Sequence, residues 1–189
     1  MDLQTNDADP TALGEAPPKL MGVHHTAFRC RDAEETRAFY EDVLGLPVKA
    51  ALAFETTPSS GQARPFMHLF FELADGKYVA FFDMPATATP EKFALKDPFD
   101  LHYAFEAESH AEMMRFQRRL HAAGVPCYGP IDHHFVQSIY FADPNGLQLE
   151  ITSREPAHDA IMTEEAGKAR GLIAEWTKRW GRGSPDNGG

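Results

Sequence analysis

Two cysteines, Cys30 and Cys127, stand in 189 residues. That is too few for a disulfide framework, and a reducing cytoplasm is the expected compartment. Positive charge is scarce as well: 18 Lys and Arg against 28 Asp and Glu leave a formal net charge of −10. A nucleic-acid partner calls for a basic face, so that class is excluded. No run approaches the 18 or so apolar residues that a membrane-spanning helix needs, so no membrane partner is expected. The opening stretch MDLQTNDADPTALGEAPP is acidic and Pro-rich, without the apolar core of a secretory signal. What is present is ordinary globular material, 43% hydrophobic and 24% charged, with nine histidines.

The histidines lead to an internal repeat. His25-Thr-Ala-Phe28 recurs as His102-Tyr-Ala-Phe105 at an offset of 77 residues. The same offset pairs Asp32 with Ser109, Glu35 with Glu112 and Phe39 with Phe116. An offset of 79 then pairs Gly45-Leu-Pro47 with Gly124-Val-Pro126. Each copy reads as a strand, a helix opened by a capping box and closed by glycine, then further strands. The helices are expected to bury Phe39, Tyr40, Val43 and Leu44 in one copy, and Met113, Phe116, Leu120 and Ala123 in the other. The strand candidates are Val48–Thr56, Phe66–Leu73 and Lys77–Asp83, then Cys127–Gly129 with its continuation, Val136–Ala142 and Leu147–Thr152. Asp75-Gly76 and Asp143-Pro-Asn-Gly146 mark the hairpin turns.

The expected fold is therefore α+β: two repeated βαβββ modules whose sheets form a metal-binding cup, plus a C-terminal helix. Residues 1–19 read as a disordered arm, 20–83 as module one, 84–98 as a Pro-rich linker and 99–153 as module two. Residues 154–189 read as the C-terminal helix and a frayed tail. In that helix Ala169, Leu172, Ile173, Trp176 and Trp180 fall on one stripe, to pack on the domain or on a partner subunit.

Strand parity indicates what the sheets present on their open faces. If Phe28 and Phe105 pack on the helices, His25 and His102 face the other way. In the last strand Leu147 and Leu149 point to the core, which leaves Glu150 on the open face. Two histidines and one carboxylate form the donor set of a facial triad, with positions left for substrate and oxygen or water. His24 has the opposite parity and reads as structural. Tyr140, between the core residues Ile139 and Phe141, shares the face of Glu150. Neither cysteine has an activating base in view, so neither reads as a nucleophile.

Across residues 20 to 153 this pattern resembles the vicinal oxygen chelate superfamily, which includes glyoxalase I, extradiol dioxygenases, fosfomycin resistance proteins and bleomycin-binding proteins. His25-Thr-Ala-Phe-Arg-Cys-Arg-Asp32 is similar to its first strand and helix start. Tyr40-Glu-Asp-Val-Leu-Gly-Leu46 is similar to its helix end. The resemblance implies a divalent metal held by His25, His102 and Glu150, with Fe(II) preferred and Mn(II), Zn(II) or Ni(II) as alternatives. The stretch from Ile131-Asp-His133-His134 through Ile139-Tyr140 to Asp143-Pro-Asn-Gly146 and Glu150 is similar to the extradiol ring-cleaving signature. It implies that His133 or His134 assists near the substrate, and that Tyr140 hydrogen-bonds there. Extradiol enzymes carry an acid/base histidine on the last strand of the metal-bearing module, where this chain has Lys77 and Tyr78. His68 on the preceding strand is the candidate substitute, its face left open by parity.

The resulting expectation is an Fe(II)-dependent extradiol-type dioxygenase that cleaves a small catecholic aromatic with O2, in a homodimer. Glyoxalase I and methylmalonyl-CoA epimerase usually place a fourth ligand on the last strand of module one, where the repeat puts Ala80 opposite Glu150. The alternatives are a glyoxalase-like lyase, isomerase or thiol transferase acting on a chelating substrate, and a non-catalytic binding protein of the bleomycin-resistance kind.

Overall fold

The computed structural model describes residues 19–57 and 59–181. The expected disordered arm, apart from Lys19, and the frayed tail beyond Gly181 lie outside the described residues. The chain runs β1 (His25–Cys30), α1 (Ala33–Arg37), β2 (Val48–Thr56), β3 (Ala63–Glu72), β4 (Tyr78–Asp83), β5 (His102–Glu106), α2 (His110–Ala122), β6 (Cys127–Asp132), β7 (Val136–Ala142), β8 (Gln148–Arg154) and α3 (His158–Trp180). Two short 3-10 turns, Pro85–Thr87 and Pro90–Phe93, lie between β4 and β5. The architecture is α+β, with one four-stranded sheet in the order β1-β4-β3-β2 and another in the order β5-β8-β7-β6. In each, the first strand runs parallel to the last, and the strand after the helix pairs antiparallel with its successor.

The repeat is visible in the local chemistry. The Asp32 carboxylate accepts from the Glu35 amide at 2.7 Å, and the Ser109 hydroxyl from the Glu112 amide at 3.3 Å, each satisfying a donor at a helix start. Gly45 and Gly124 close the two helices at φ 78° and 74°. The first helix departs from expectation. After α1 the backbone widens into a π-helical segment, Ala38–Val43, with the Leu44 amide bonded to the Phe39 carbonyl five residues back. The wider turn lets the consecutive rings of Phe39 and Tyr40 both enter the core beside Leu44, while Val43 is only half-buried. In α2 Met113 and Leu120 are fully buried, Phe116 half-buried, and Ala123 exposed because it is the C-cap.

Contacts divide the chain into two compact units. One holds module one through Asp97 together with Ala142–Leu147; the other holds Pro98–Phe141 and the chain from Gln148 onward. The turn between β7 and β8, assigned from sequence to module two, thus groups with module one. Two of its residues, Asp143 and Asn145, are buried and polar. The Asp143 carboxylate accepts from the amides of Asn145 and Leu147, both at 2.8 Å, from the Asn145 side-chain amide at 2.9 Å, and from the Tyr40 hydroxyl at 3.0 Å. The Asn145 side-chain oxygen in turn accepts from the Arg31 amide at 2.9 Å. Gly146 sits at φ 78°, where an added Cβ would lie 2.5 Å from the Ala94 carbonyl oxygen, so no other residue fits there. Burial pushes the Asp143 carboxyl above its ordinary value, and the hydrogen bonds donated to it oppose that rise.

Candidate metal centre

Register fixes which side chains share a face. In module one the pairs His25–Tyr78, Ala27–Ala80 and Arg29–Phe82 continue across β3 as Phe70 opposite Ala80 and His68 opposite Phe82. His25, His68, Phe70, Ala80 and Phe82 therefore lie on one face, and the opposite face carries the buried Cys30, Leu69, Phe71, Val79 and Phe81. This settles the orientation of His68. Its ring stacks on Phe82 at 3.9 Å between centroids, touches Phe70 at 4.2 Å and lies 6.1 Å from His25. Its Nε2 is buried with no hydrogen-bond partner. Burial, and then the neighbouring His25, push the imidazole pKa below its ordinary value, so the neutral ring is favoured. The exposed His25 has Nδ1 3.0 Å from His24 Nδ1 and its ring 5.5 Å from Phe70.

Module two carries the polar counterpart. His102 pairs with Gln148, and Ala104 with Glu150, so His102 and Glu150 lie on the same face. Their Nε2 and Oε2 are 3.6 Å apart. The other ring nitrogen of His102, Nδ1, is 2.8 Å from the Pro98 carbonyl oxygen. A carbonyl only accepts, so Nδ1 carries the proton, and the Nε2 lone pair of a neutral His102 points toward the carboxylate. The Tyr140 hydroxyl donates to Glu150 Oε1 at 3.2 Å. His133 Nε2 lies 2.7 Å from that same hydroxyl oxygen. With the phenolic proton on the Glu150 side, His133 is assigned as the donor in its contact. Burial, and then the Glu150 carboxylate, push the Tyr140 phenol above its ordinary value, which keeps it protonated. Glu150 itself is buried at 8% exposure; its Oε1 accepts from Tyr140, and its Oε2 faces His102 Nε2.

His102, Glu150, Tyr140 and His133 thus come together within module two, and His25 and His68 within module one. His134 joins neither group. It sits at φ 70° in a turn where its amide donates to the Asp132 carboxylate. Among the described residues no three His, Cys, Asp or Glu side chains converge closely enough to hold a metal ion. The donor chemistry of His102 and Glu150 nevertheless suits a divalent ion: one oriented imidazole lone pair beside one buried carboxylate. Both thiols are free, and burial pushes them to about 12 at Cys30 and about 11 at Cys127, which makes them poor nucleophiles. A separate 390 Å³ recess between the start of α1 and the linker, lined by Arg31, Asp32, Glu35, Thr89, Pro90 and Phe93, contains none of the candidate ligands.

What sequence reasoning missed is the orientation of His102 by Pro98. A backbone carbonyl leaves no residue-type signature. The Tyr140–Glu150 contact, by contrast, follows from the shared parity of the two residues.

Comparison with known proteins adds a family. The model of the glyoxalase/bleomycin resistance protein/dioxygenase superfamily matches residues 22–151. No curated protein matches. Among solved structures, a glyoxylase/bleomycin resistance protein/dioxygenase domain from Frankia sp. EAN1pec is similar over 72% of this chain and 100% of its own. Its TM-score is 0.60, at 19% identity. A glyoxalase/dioxygenase from Nostoc punctiforme is similar over 75% of this chain and 96% of its own, with a TM-score of 0.56 and 25% identity. The fosfomycin resistance protein FosX from Listeria monocytogenes, crystallised with Mn(II) and sulfate, is similar over 75% and 99%, with a TM-score of 0.53 and 18% identity.

Proposed function

The chain belongs to the glyoxalase/bleomycin resistance protein/dioxygenase superfamily, and from that premise we propose that it is a divalent-metal enzyme of the extradiol ring-cleaving type. Its substrate would be a small aromatic with two vicinal hydroxyls. The observation that supports this reading is the hydrogen-bonded line from His133 through Tyr140 to Glu150, with His102 beside it. His102 and Glu150 supply two ligands from module two, and the third is assigned to His25 of module one. Fe(II) is the preferred ion, and the Mn(II) bound to FosX is consistent with a divalent metal on this scaffold. When bound, the ion would supply Lewis-acid and redox chemistry toward a vicinal-diol substrate and O2.

The side chains have separate tasks. Tyr140 stays protonated and offers its hydroxyl to an oxygen that gains negative charge. His133 holds a proton at Nε2, within 2.7 Å of the Tyr140 oxygen, and can pass or receive one there. His68, neutral and with an unpartnered Nε2, offers a second proton acceptor on the module-one face. Phe70 and Phe82 give that face an aromatic wall suited to a ring.

The test is anaerobic purification with metal analysis, followed by Fe(II) reconstitution and oxygen uptake over a panel of catechols. Stoichiometric iron, O2 consumption and a coloured ring-opened product are expected. Tyr140→Phe should retain the metal and lose on the order of 10²–10³ in turnover. Bound manganese, nickel or zinc without oxygen uptake would redirect the reading to lyase, isomerase or thiol-transferase chemistry. Absence of metal after reconstitution would leave a non-catalytic small-molecule binding protein.

A further inference from the structure

The C-terminal helix α3 takes no part in the candidate centre, and its exposure calls for an explanation. It runs 23 residues without one buried side chain, about 34 Å at 1.5 Å per residue. Its N-cap residue, Ala157, makes no side-chain cap hydrogen bond. Met162, Ile173, Trp176 and Trp180 are exposed by 47%, 64%, 68% and 39%. Large apolar side chains such as Ile173 and Trp176 held in water are costly unless something covers them.

The spacing indicates what covers them. Met162, Ala166, Ala169, Ile173, Trp176 and Trp180 are separated by alternating steps of four and three, the seam of a two-stranded coiled coil. Bulk is unequally divided along that seam, with alanines in the first half and the isoleucine and tryptophans in the second. Two copies laid antiparallel place Ile173 against Ala169, Trp176 against Ala166 and Trp180 against Met162, a large side chain facing a smaller one in each layer. A parallel pair would stack tryptophan on tryptophan and leave alanine facing alanine.

Charge points the same way. The helix holds four acids and four bases. Asp159, Glu164 and Glu165 lie toward its start, and Lys178 and Arg179 at its end. In the antiparallel register Glu165 flanks the seam opposite Arg179 of the second copy, twice by symmetry, and Leu172 meets its own counterpart on the two-fold axis. The Arg179 guanidinium lies 4.8 Å from the Trp180 ring centroid, at the margin of the stripe. Arg170 faces its own counterpart, the one like-charged pair in this register. A membrane-surface helix would instead carry an excess of Lys and Arg on its polar face.

We propose that α3 is a self-association helix that pairs antiparallel with α3 of a second copy of this chain, the antiparallel order being set by the Glu165–Arg179 pairs and the large-against-small layers. This is independent of the metal reading, because no α3 residue belongs to the candidate centre.

The test uses the full chain in sedimentation velocity. At one fixed concentration Glu165→Arg should halve the particle mass relative to wild type, since it sets arginine against arginine at both ends. Glu165→Arg combined with Arg179→Glu should restore it. Trp176→Glu should also halve the mass, with circular dichroism showing that the sheets persist. Under mild oxidation Leu172→Cys should form a covalent dimer that wild type, with its buried Cys30 and partly covered Cys127, does not. Unchanged mass in both Glu165→Arg and Trp176→Glu would overturn the proposal, as would failure of Leu172→Cys to cross-link. So would a single-chain particle whose α3 binds anionic phosphatidylserine vesicles in a Trp176-dependent way.

Discussion

The two modules share one scaffold and differ in the side chains they place at the candidate site. An offset of 70 residues, set by Gly76 and Gly146, places Ala80 at the position of Glu150 and Phe70 at the position of Tyr140. His25 and His102 are retained. Module one therefore presents a histidine on an aromatic wall, and module two a histidine beside a carboxylate and a phenol. The turns diverge in the same way. Leu73-Ala-Asp-Gly76 and Asp143-Pro-Asn-Gly146 close with equivalent backbone bonds: the first residue's amide donates to the fifth residue's carbonyl, and the glycine amide to the first residue's carbonyl. Yet Asp75 is exposed and bridged to Lys77, whereas Asp143 and Asn145 are buried. Repetition supplies position, and substitution at a few repeated positions supplies polarity.

The sharpest way to break the comparison is to move its carboxylate. Glu150→Ala should abolish metal retention and reduce turnover to background, measured by metal content and by oxygen uptake. Ala80→Glu in that background should not restore either. Ala80 has no exposed surface, and the tyrosine that donates to Glu150 is replaced at the equivalent position by Phe70. A carboxylate there lacks a donor and should cost about 3 kcal/mol or more in urea unfolding. Recovery of metal binding without loss of stability would show that the modules are interchangeable after all.

The buried turn gives the next effect. Asp143→Ala leaves the Tyr40 hydroxyl, the Asn145 and Leu147 amides and the Asn145 side-chain amide without their acceptor. The expected loss is about 3 kcal/mol by chemical denaturation. The pH dependence has a definite sign. Burial raises the folded-state pKa of Asp143 above its unfolded value, so the folded chain binds the proton more tightly. The stability this group contributes is complete below the ordinary aspartate range and is lost as pH rises through the higher folded value. Asp143→Asn should remove that slope from a series of melts between pH 4 and 7 (a range chosen around ordinary aspartate values of about 3.9). A slope that survives would place the titration on another group.

Much of this was legible before the structure because it depends on period and position. Alternation put Phe28 and Cys30 on one face and His25 on the other, and the repeat carried the same assignment to His102. The capping residues Asp32 and Ser109 named both helix starts. Other features had no local signature. The π-helical turn depends on how Phe39 and Tyr40 both reach the core, which spacing over one helix does not encode. The orientation of His68 became fixed only through its register with Phe82. Asp143-Pro-Asn-Gly146 reads from its residues only as a hairpin turn. Its burial depends on Tyr40, Thr36 and the Arg31 amide, more than 100 positions away.

The smallest effect belongs to the other turn. Asp75 accepts from the Lys77 amide at 3.0 Å and bridges the Lys77 ammonium at 2.5 Å, and Lys77 holds its carboxyl below the ordinary aspartate range. Both partners lie in water, where the attraction is screened and ordering two side chains offsets it. Asp75→Ala should therefore shift the melting temperature by no more than the scatter between replicate melts, at low and at high salt alike. The depressed pKa sets the sign of the small effect that remains: it is present above the ordinary aspartate range and disappears as pH falls through the folded value, opposite to Asp143. A large destabilisation by Asp75→Ala would mean that the module-one turn is also covered by something, and the difference in burial between the two turns would no longer explain why one carries a polar network and the other does not.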